Sequence, residues 1–122
     1  MISIKVNGIP YPARVSGKMV DTDWDRRSSK SITLEMDYYT AKSIFTDGLE
    51  WSIQETETVV LSSHTNENGE VVFETEERTE EYDNSEYCVA GSITDNRDGT
   101  MTIKMGKLTE LEEAYEILLG GI

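Results

Sequence analysis

Ile32, Leu34, Met36 and Tyr38 alternate without a break with Thr33, Glu35 and Asp37, and this two-residue period constrains the fold more than any other feature of the chain. Successive side chains of a strand point to opposite faces, so strict alternation marks a strand with one buried face and one wet face. The period recurs at Ile2, Ile4 and Val6, at Leu49, Trp51 and Ile53, at Val59 and Leu61, and at Met101, Ile103 and Met105. A chain patterned in this way has to form a sheet.

Turn signals separate these runs. Asn7-Gly8 joins the first to an arm carrying Ile9, Tyr11 and Val15, and the spacing predicts a hairpin. Pro10 and Pro12 lack backbone donors, which predicts that this arm lies at a sheet edge. Asn68-Gly69 predicts a second hairpin between Thr58–Ser63 and Glu70–Thr75, with Val71 and Phe73 facing inward. Tyr87–Thr94, a loop through Asp98-Gly99 and the Met101–Met105 run predict a third. A polar link from Gly17 to Ser29 connects the first hairpin to the Ile32 strand.

Two helices complete the pattern. Thr40 is placed to cap a short one over Ala41–Thr46 that buries Ile44 and Phe45 and stops at Asp47-Gly48. Thr109 and Glu112 have the spacing of a capping box, and Leu111, Tyr115, Leu118 and Ile122 recur at helical intervals. That predicts an amphipathic helix near 109–119, ended by Gly120-Gly121 and covering one face or open end of the sheet. The expected fold is α+β, mostly antiparallel β, a sandwich or partly closed barrel with one short internal helix and a C-terminal amphipathic helix. A length of 122 residues suits a single domain over 1–122.

Charge narrows the function. Eleven Lys and Arg against 24 Asp and Glu leave a net charge of -13. Nucleic acid is disfavoured, because phosphate neutralisation supplies most of such affinity, and so is an anionic membrane surface. The imbalance is uneven: residues 1–48 carry seven basic and six acidic groups, net +1, and residues 49–122 carry four and 18, net -14. No apolar run reaches the roughly 20 residues that span a bilayer, and Met1–Gly8 lacks the apolar stretch of a secretory signal. The expectation is a cytoplasmic protein with Cys88 as a reduced thiol.

Catalytic chemistry finds little material. One Cys and one His cannot build a disulfide framework or a Cys/His zinc site. His64 approaches a turn with no orienting partner in sequence, and Cys88 in Tyr87-Cys88-Val89-Ala90 reads as a small buried hydrophobe. Thr94–Gly99 and His64–Gly69 imitate the start of a calcium loop, yet their twelfth positions are Met105 and Thr75 rather than Glu, so both read as turns. The reading assigns no catalytic residue, no cofactor, no metal and no small-molecule substrate.

Protein partners, other copies of the chain among them, fit better. Trp24, in Asp23-Trp24-Asp25-Arg26-Arg27, has no apolar neighbour in sequence; it either folds back over the core or anchors an interface flanked by Arg26 and Arg27. The run from Glu74 to Glu86, with Glu76, Glu77, Glu80 and Glu81 at its centre, reads as a solvated surface or as an acidic patch facing the basic Arg26–Lys30 segment of a neighbour.

The stretch Asp23–Ser52, DWDRRSSKSITLEMDYYTAKSIFTDGLEWS, resembles a pattern of small bacteriophage and prophage tail-region proteins: a loop with Arg and Lys, an alternating strand, a short helical segment and a return strand. Tyr87–Gly121, ending KMGKLTELEEAYEILLGG, resembles the ends of short prophage reading frames. Together these segments cover about half the chain. The resemblance implies a non-enzymatic assembly component with a β-rich fold that associates in rings or tubes and enters a phage-like particle, and it carries over no site residue. The expected function is therefore a structural assembly protein acting by self-association or docking. The alternative is a small acidic monomeric module that captures a basic partner. Trp24→Ala separates the two roles of that side chain, since it should spare thermal stability if Trp24 is an interface anchor and lower it by several degrees if Trp24 is packed.

Overall fold

The computed structural model describes residues 1–120. Its first element, β1 (Ile2–Val6), turns at Asn7-Gly8 into β2 (Ile9–Asp21). Both turn residues have positive φ, 52° and 79°, as a two-residue hairpin with the right twist requires. Then follow β3 (Arg27–Glu35), α1 (Tyr38–Ile44), β4 (Trp51–Thr65), β5 (Val71–Asp83), β6 (Val89–Asp95), β7 (Thr100–Gly106) and α2 (Glu110–Gly120). All pairings are antiparallel, and among the described residues the strands form one sheet in the order β5-β4-β1-β2-β3-β7-β6. The outermost strands, β5 and β6, do not pair with each other, so the sheet does not close into a barrel.

β2 lies in the middle of this order, not at the edge that its prolines predict. It serves its neighbours one after the other: β1 pairs with Ile9–Pro12, and β3 joins only at Ala13. Counting from the hydrogen-bonded closing pair Val6–Ile9, Pro10 and Pro12 occupy positions whose missing N–H would point away from β1, before β3 has begun. The prolines thus sit at a local edge within a central strand.

The alternating residues meet in one core. Ile4 and Val6 from β1, Trp51 from β4, Ile32 and Leu34 from β3, and Met101, Ile103 and Met105 from β7 are buried together, and Ala41 and Phe45 close the cluster from the α1 side. The Trp51 indole N–H donates to the Tyr87 carbonyl at 3.0 Å, so its polar edge is satisfied inside the core. β3 ends at Glu35, and Tyr38, which its period places in the strand, starts α1 instead. Asp37 and not Thr40 is the N-cap: its carboxylate accepts from the Thr40 backbone N–H at 2.8 Å and from the Thr40 hydroxyl at 2.7 Å.

The β4–β5 hairpin runs further than its turn signal suggests. β1 covers β4 only from Trp51 to Glu55; from Glu57 to the turn at Asn66–Glu70, β4 has β5 alone as its neighbour. The distal hairpin is therefore a two-stranded ribbon without a core. Val71 and Phe73, expected inward, are each 59% exposed on it, and Leu61 is exposed as the extra residue of a bulge between Val60 and Ser62. The C-terminal helix departs from expectation in the same direction. It forms, yet its apolar residues lie in solvent and it covers no face of the sheet. The expected positions Gly121 and Ile122 lie outside the described residues.

Core and ribbon should respond differently to truncation. In urea unfolding, Ile103→Ala should cost about 3 kcal/mol by lost burial and a residual cavity, while Val71→Ala should stay within about 0.5 kcal/mol.

Candidate functional site

The loop joining β2 to β3 is built on Asp21, whose side chain is wholly buried. Lys104 of β7 reaches Asp21 Oδ2 at 2.7 Å, the Ser29 hydroxyl donates to the same oxygen at 3.0 Å, and the Asp23 backbone N–H donates to Oδ1 at 3.1 Å. The Lys104 contact, with help from Ser29 and Asp23 and against the cost of burial, holds the Asp21 carboxyl below its usual range. The Asp21 carbonyl accepts from Trp24 N and Arg26 N, at 3.1 and 2.9 Å. Asp25 and Arg26 turn the chain with φ of 55° and 60°, a left-handed conformation that costs an L residue about 1 kcal/mol or more each and is held here by these bonds.

That turn folds Trp24 back. Its ring lies on β6 and β7 on the face away from the main core, against Gly91 and Gly106: a Cβ at either glycine would stand 2.7 or 2.8 Å from a Trp24 ring carbon. Glycine is required here by close approach and not by backbone angle, since neither residue has positive φ. Arg27 stacks on the indole, its guanidinium carbon 4.8 Å from the ring centroid. Its Nη1 donates to Glu112 Oε1 at 2.7 Å and to the Lys107 carbonyl at 2.9 Å, and the side chain is only 4% exposed.

Of the three residues expected to form an interface, the structure therefore places Trp24 and Arg27 in the chain's own packing and leaves Arg26 exposed. The sequence does carry a signal for this, in the glycines inside the β6 and β7 strands, but it does not say which ring fills the space. Asp21 and Lys104 carry none, because a buried acid and a surface acid are written with the same letter.

Glu112 ties the loop to α2. It completes the expected capping box, with Glu112 Oε1 accepting from Thr109 N at 2.9 Å and Glu112 N donating to Thr109 Oγ1 at 3.2 Å. The Arg27 contact, then the Thr109 amide, hold its carboxyl below the usual range.

The acidic residues Glu76, Glu77, Glu80 and Glu81 all lie exposed on β5, but the strand's alternation divides them. Glu76 and Glu80 share a face with Glu55, Glu57 and Val59; Glu77 and Glu81 share the other with Thr56, Thr58 and Val60. Glu80 stands directly opposite Glu55, a destabilising juxtaposition of like charges, while Glu57 faces Arg78. Arg78 Nε lies 3.4 Å from Glu76 Oε2, and the Tyr82 hydroxyl donates to Glu80. Glu81 is tied at the ribbon base, accepting from Ser52 at 2.8 Å with Lys5 at 3.7 Å; the Ser52 bond leads in holding its carboxyl low. Beyond the bulge, Val71 and Phe73 share one face with Thr75 and Val60, giving the distal ribbon an apolar side.

His64 and Cys88 are not brought together. His64 pairs with Val72 near the ribbon tip, roughly 35 Å along the strand from Asp83, whereas Cys88 lies half-buried just before β6. The calcium-like loops spend their oxygens on their own backbone. Asp95 accepts from Arg97 N and Asp98 from Thr100 N, and Asn66 Oδ1 accepts from Asn68 N and Glu70 N. Among the described residues no three His, Cys, Asp or Glu side chains are grouped to hold a metal, and no helix is long and apolar enough to cross a membrane. The chain matches no family model, no curated protein and no solved structure.

Two variants test the loop. Trp24→Ala should lower stability by about 2–3 kcal/mol, the cost of uncovering the Gly91–Gly106 surface and unstacking Arg27. For Asp21, a carboxyl lowered in the folded state stabilises above its ordinary titration and loses that contribution as pH falls through the folded value. The stability gap between the wild type and Asp21→Asn in urea should be full near pH 7 and shrink below about pH 4, the ordinary carboxylate range.

Proposed function

We propose that the chain is a non-enzymatic structural protein that works by assembling, with copies of itself or by docking on a neighbouring protein, and that it serves as a component of a phage-tail-like particle. The observation that carries this reading is the β4–β5 ribbon. A two-stranded hairpin is marginal in water, and this one extends past the sheet with both edges unpaired and with Val60, Leu61, Val71 and Phe73 more than half exposed. Unpaired edges and a one-sided apolar surface are what strand addition and side-by-side packing use. The glutamates on β5 keep such edges from pairing with themselves, because an identical strand would bring Glu against Glu. The phage part of the proposal rests on the tail-protein resemblance of Asp23–Ser52 and Tyr87–Gly121. The cytoplasm is the proposed place of synthesis and storage before incorporation.

Light scattering coupled to size exclusion over a wide concentration range tests the reading. The chain should form heavier species as concentration rises, and Val71→Asp with Phe73→Asp should weaken their formation at least tenfold with the unfolding midpoint nearly unchanged. A chain that stays monomeric throughout and instead retains a basic protein at low salt, releasing it at high salt, would be the acidic capture module and not an assembly protein.

A further inference from the structure

α2 is attached to the protein by its polar flank. From Glu110 to Leu119 every residue is exposed except Glu112, which Arg27 holds. At 100° per residue Leu111, Tyr115 and Leu118 form one stripe, with Ala114 and Leu119 beside it, and Glu112 lies about 100° round from Leu111. The Arg27 contact therefore leaves the stripe pointing into solvent: Leu111 is 82% exposed, Tyr115 62% and Leu118 69%. A lone helix of this length is marginal in water. The capping box and the Arg27 pair form it in advance of any partner.

At the other end of the molecule lies a cleft of about 540 Å³ whose walls include Ile2, Tyr11, Pro12, Ala13 and Leu34, with Arg14 on its rim. The Arg14 guanidinium has no ion-pair partner within 4 Å among the described residues, and neither do Glu110, Glu113 and Glu116 of α2. Glu35 is the one acid of the cleft lining. Apart from Thr100, the cleft residues belong to the half of the chain with net charge +1, and α2 to the half with net charge -14.

We infer that α2 of one copy seats its Leu111–Tyr115–Leu118 stripe in the Arg14 cleft of a second copy. The occupant is a second copy and not the same chain, because the two surfaces lie at opposite ends of β3 and β7. The cleft lies by Glu35 and Thr100 and α2 follows Gly106, which pairs with Ser29, so about six strand residues or 20 Å separate them. Two copies of α2 do not pair with each other, since each would line the seam with uncompensated glutamates. A contact between different surfaces of identical copies is heterologous, so it propagates into a ring or a filament. The inference rests on the assembly reading and supplies its connecting joint.

The test uses two full-length variants with substitutions at exposed positions. Leu111→Glu with Leu118→Glu disables the helix, and Arg14→Glu with Ile2→Glu disables the cleft; circular dichroism and urea midpoints near the wild type establish that both fold. In sedimentation velocity each variant alone should be monomeric at concentrations where the wild type grows, its self-association weakened at least tenfold. An equimolar mixture of the two should recover association that neither variant shows alone, because it restores one intact helix-to-cleft joint. A helix variant that assembles like the wild type would overturn the joint while leaving the assembly reading in place. A cleft variant that assembles normally while the helix variant does not would replace it with a helix-to-helix contact. Wild-type chain that remains monomeric at every concentration would overturn both.

Discussion

β2 has to satisfy two neighbours in turn, and the rest of the architecture depends on that division. Its first four residues pair with β1 and its remainder with β3, so the two halves of the sheet meet along a single strand. Pro10 and Pro12 have no donor to offer β3, and pairing on that side begins at the first residue past them. With the halves joined in this way, Ile4 and Val6 on one side and Ile32, Leu34, Ile103 and Met105 on the other can bury against each other in one cluster. Burial at about 25 cal/mol per Å² of apolar surface makes that cluster the main source of stability for a domain of this size.

A second, smaller packing unit lies on the opposite face of the β3–β7–β6 half. It has a polar foundation, Asp21 with Lys104 and Ser29, and an aromatic cover, Trp24 with Arg27. A fully buried carboxylate is tolerable only when an opposite charge and further donors satisfy it, and here they also fix the loop in which two non-glycine residues adopt positive φ. Arg27 passes this order on to Glu112 and so decides which side of α2 faces the domain. A residue near one end of the chain thus orients a helix near the other, 85 positions away.

What the core does not reach is the part that looks outward. The distal ribbon and α2 together expose most of the large apolar side chains outside the cluster, each rimmed by glutamates. In a soluble monomer such surfaces are ordinarily covered. Their acidity disfavours contact between identical elements, because like charges repel.

The two-residue alternation, the Asn-Gly and Asp-Gly turns, and the Thr109–Glu112 box were enough to read part of each of the seven strands, three hairpins and both helices from the residues alone, because each is a local preference of neighbours in sequence. The run Glu76–Asp83 was not legible as strand, since its charge argues for solvent and only pairing with the Ser- and Thr-rich β4 makes it extended. The inward or outward sense of Val71, Phe73, Leu111 and Tyr115 was equally beyond a local reading: periodicity shows that a face is apolar, not that anything lies against it. Trp24, Asp21 and Arg27 make the same point from the other side. Trp24 and Arg27 have only polar neighbours in sequence and Asp21 follows Val20, while their neighbours in space, Gly91, Gly106, Lys104 and Glu112, are between 67 and 85 residues away. The sequence by itself determined which segments are strands, turns and helices; tertiary structure decided which apolar faces are buried and which are left over, because burial depends on what long-range pairing brings alongside.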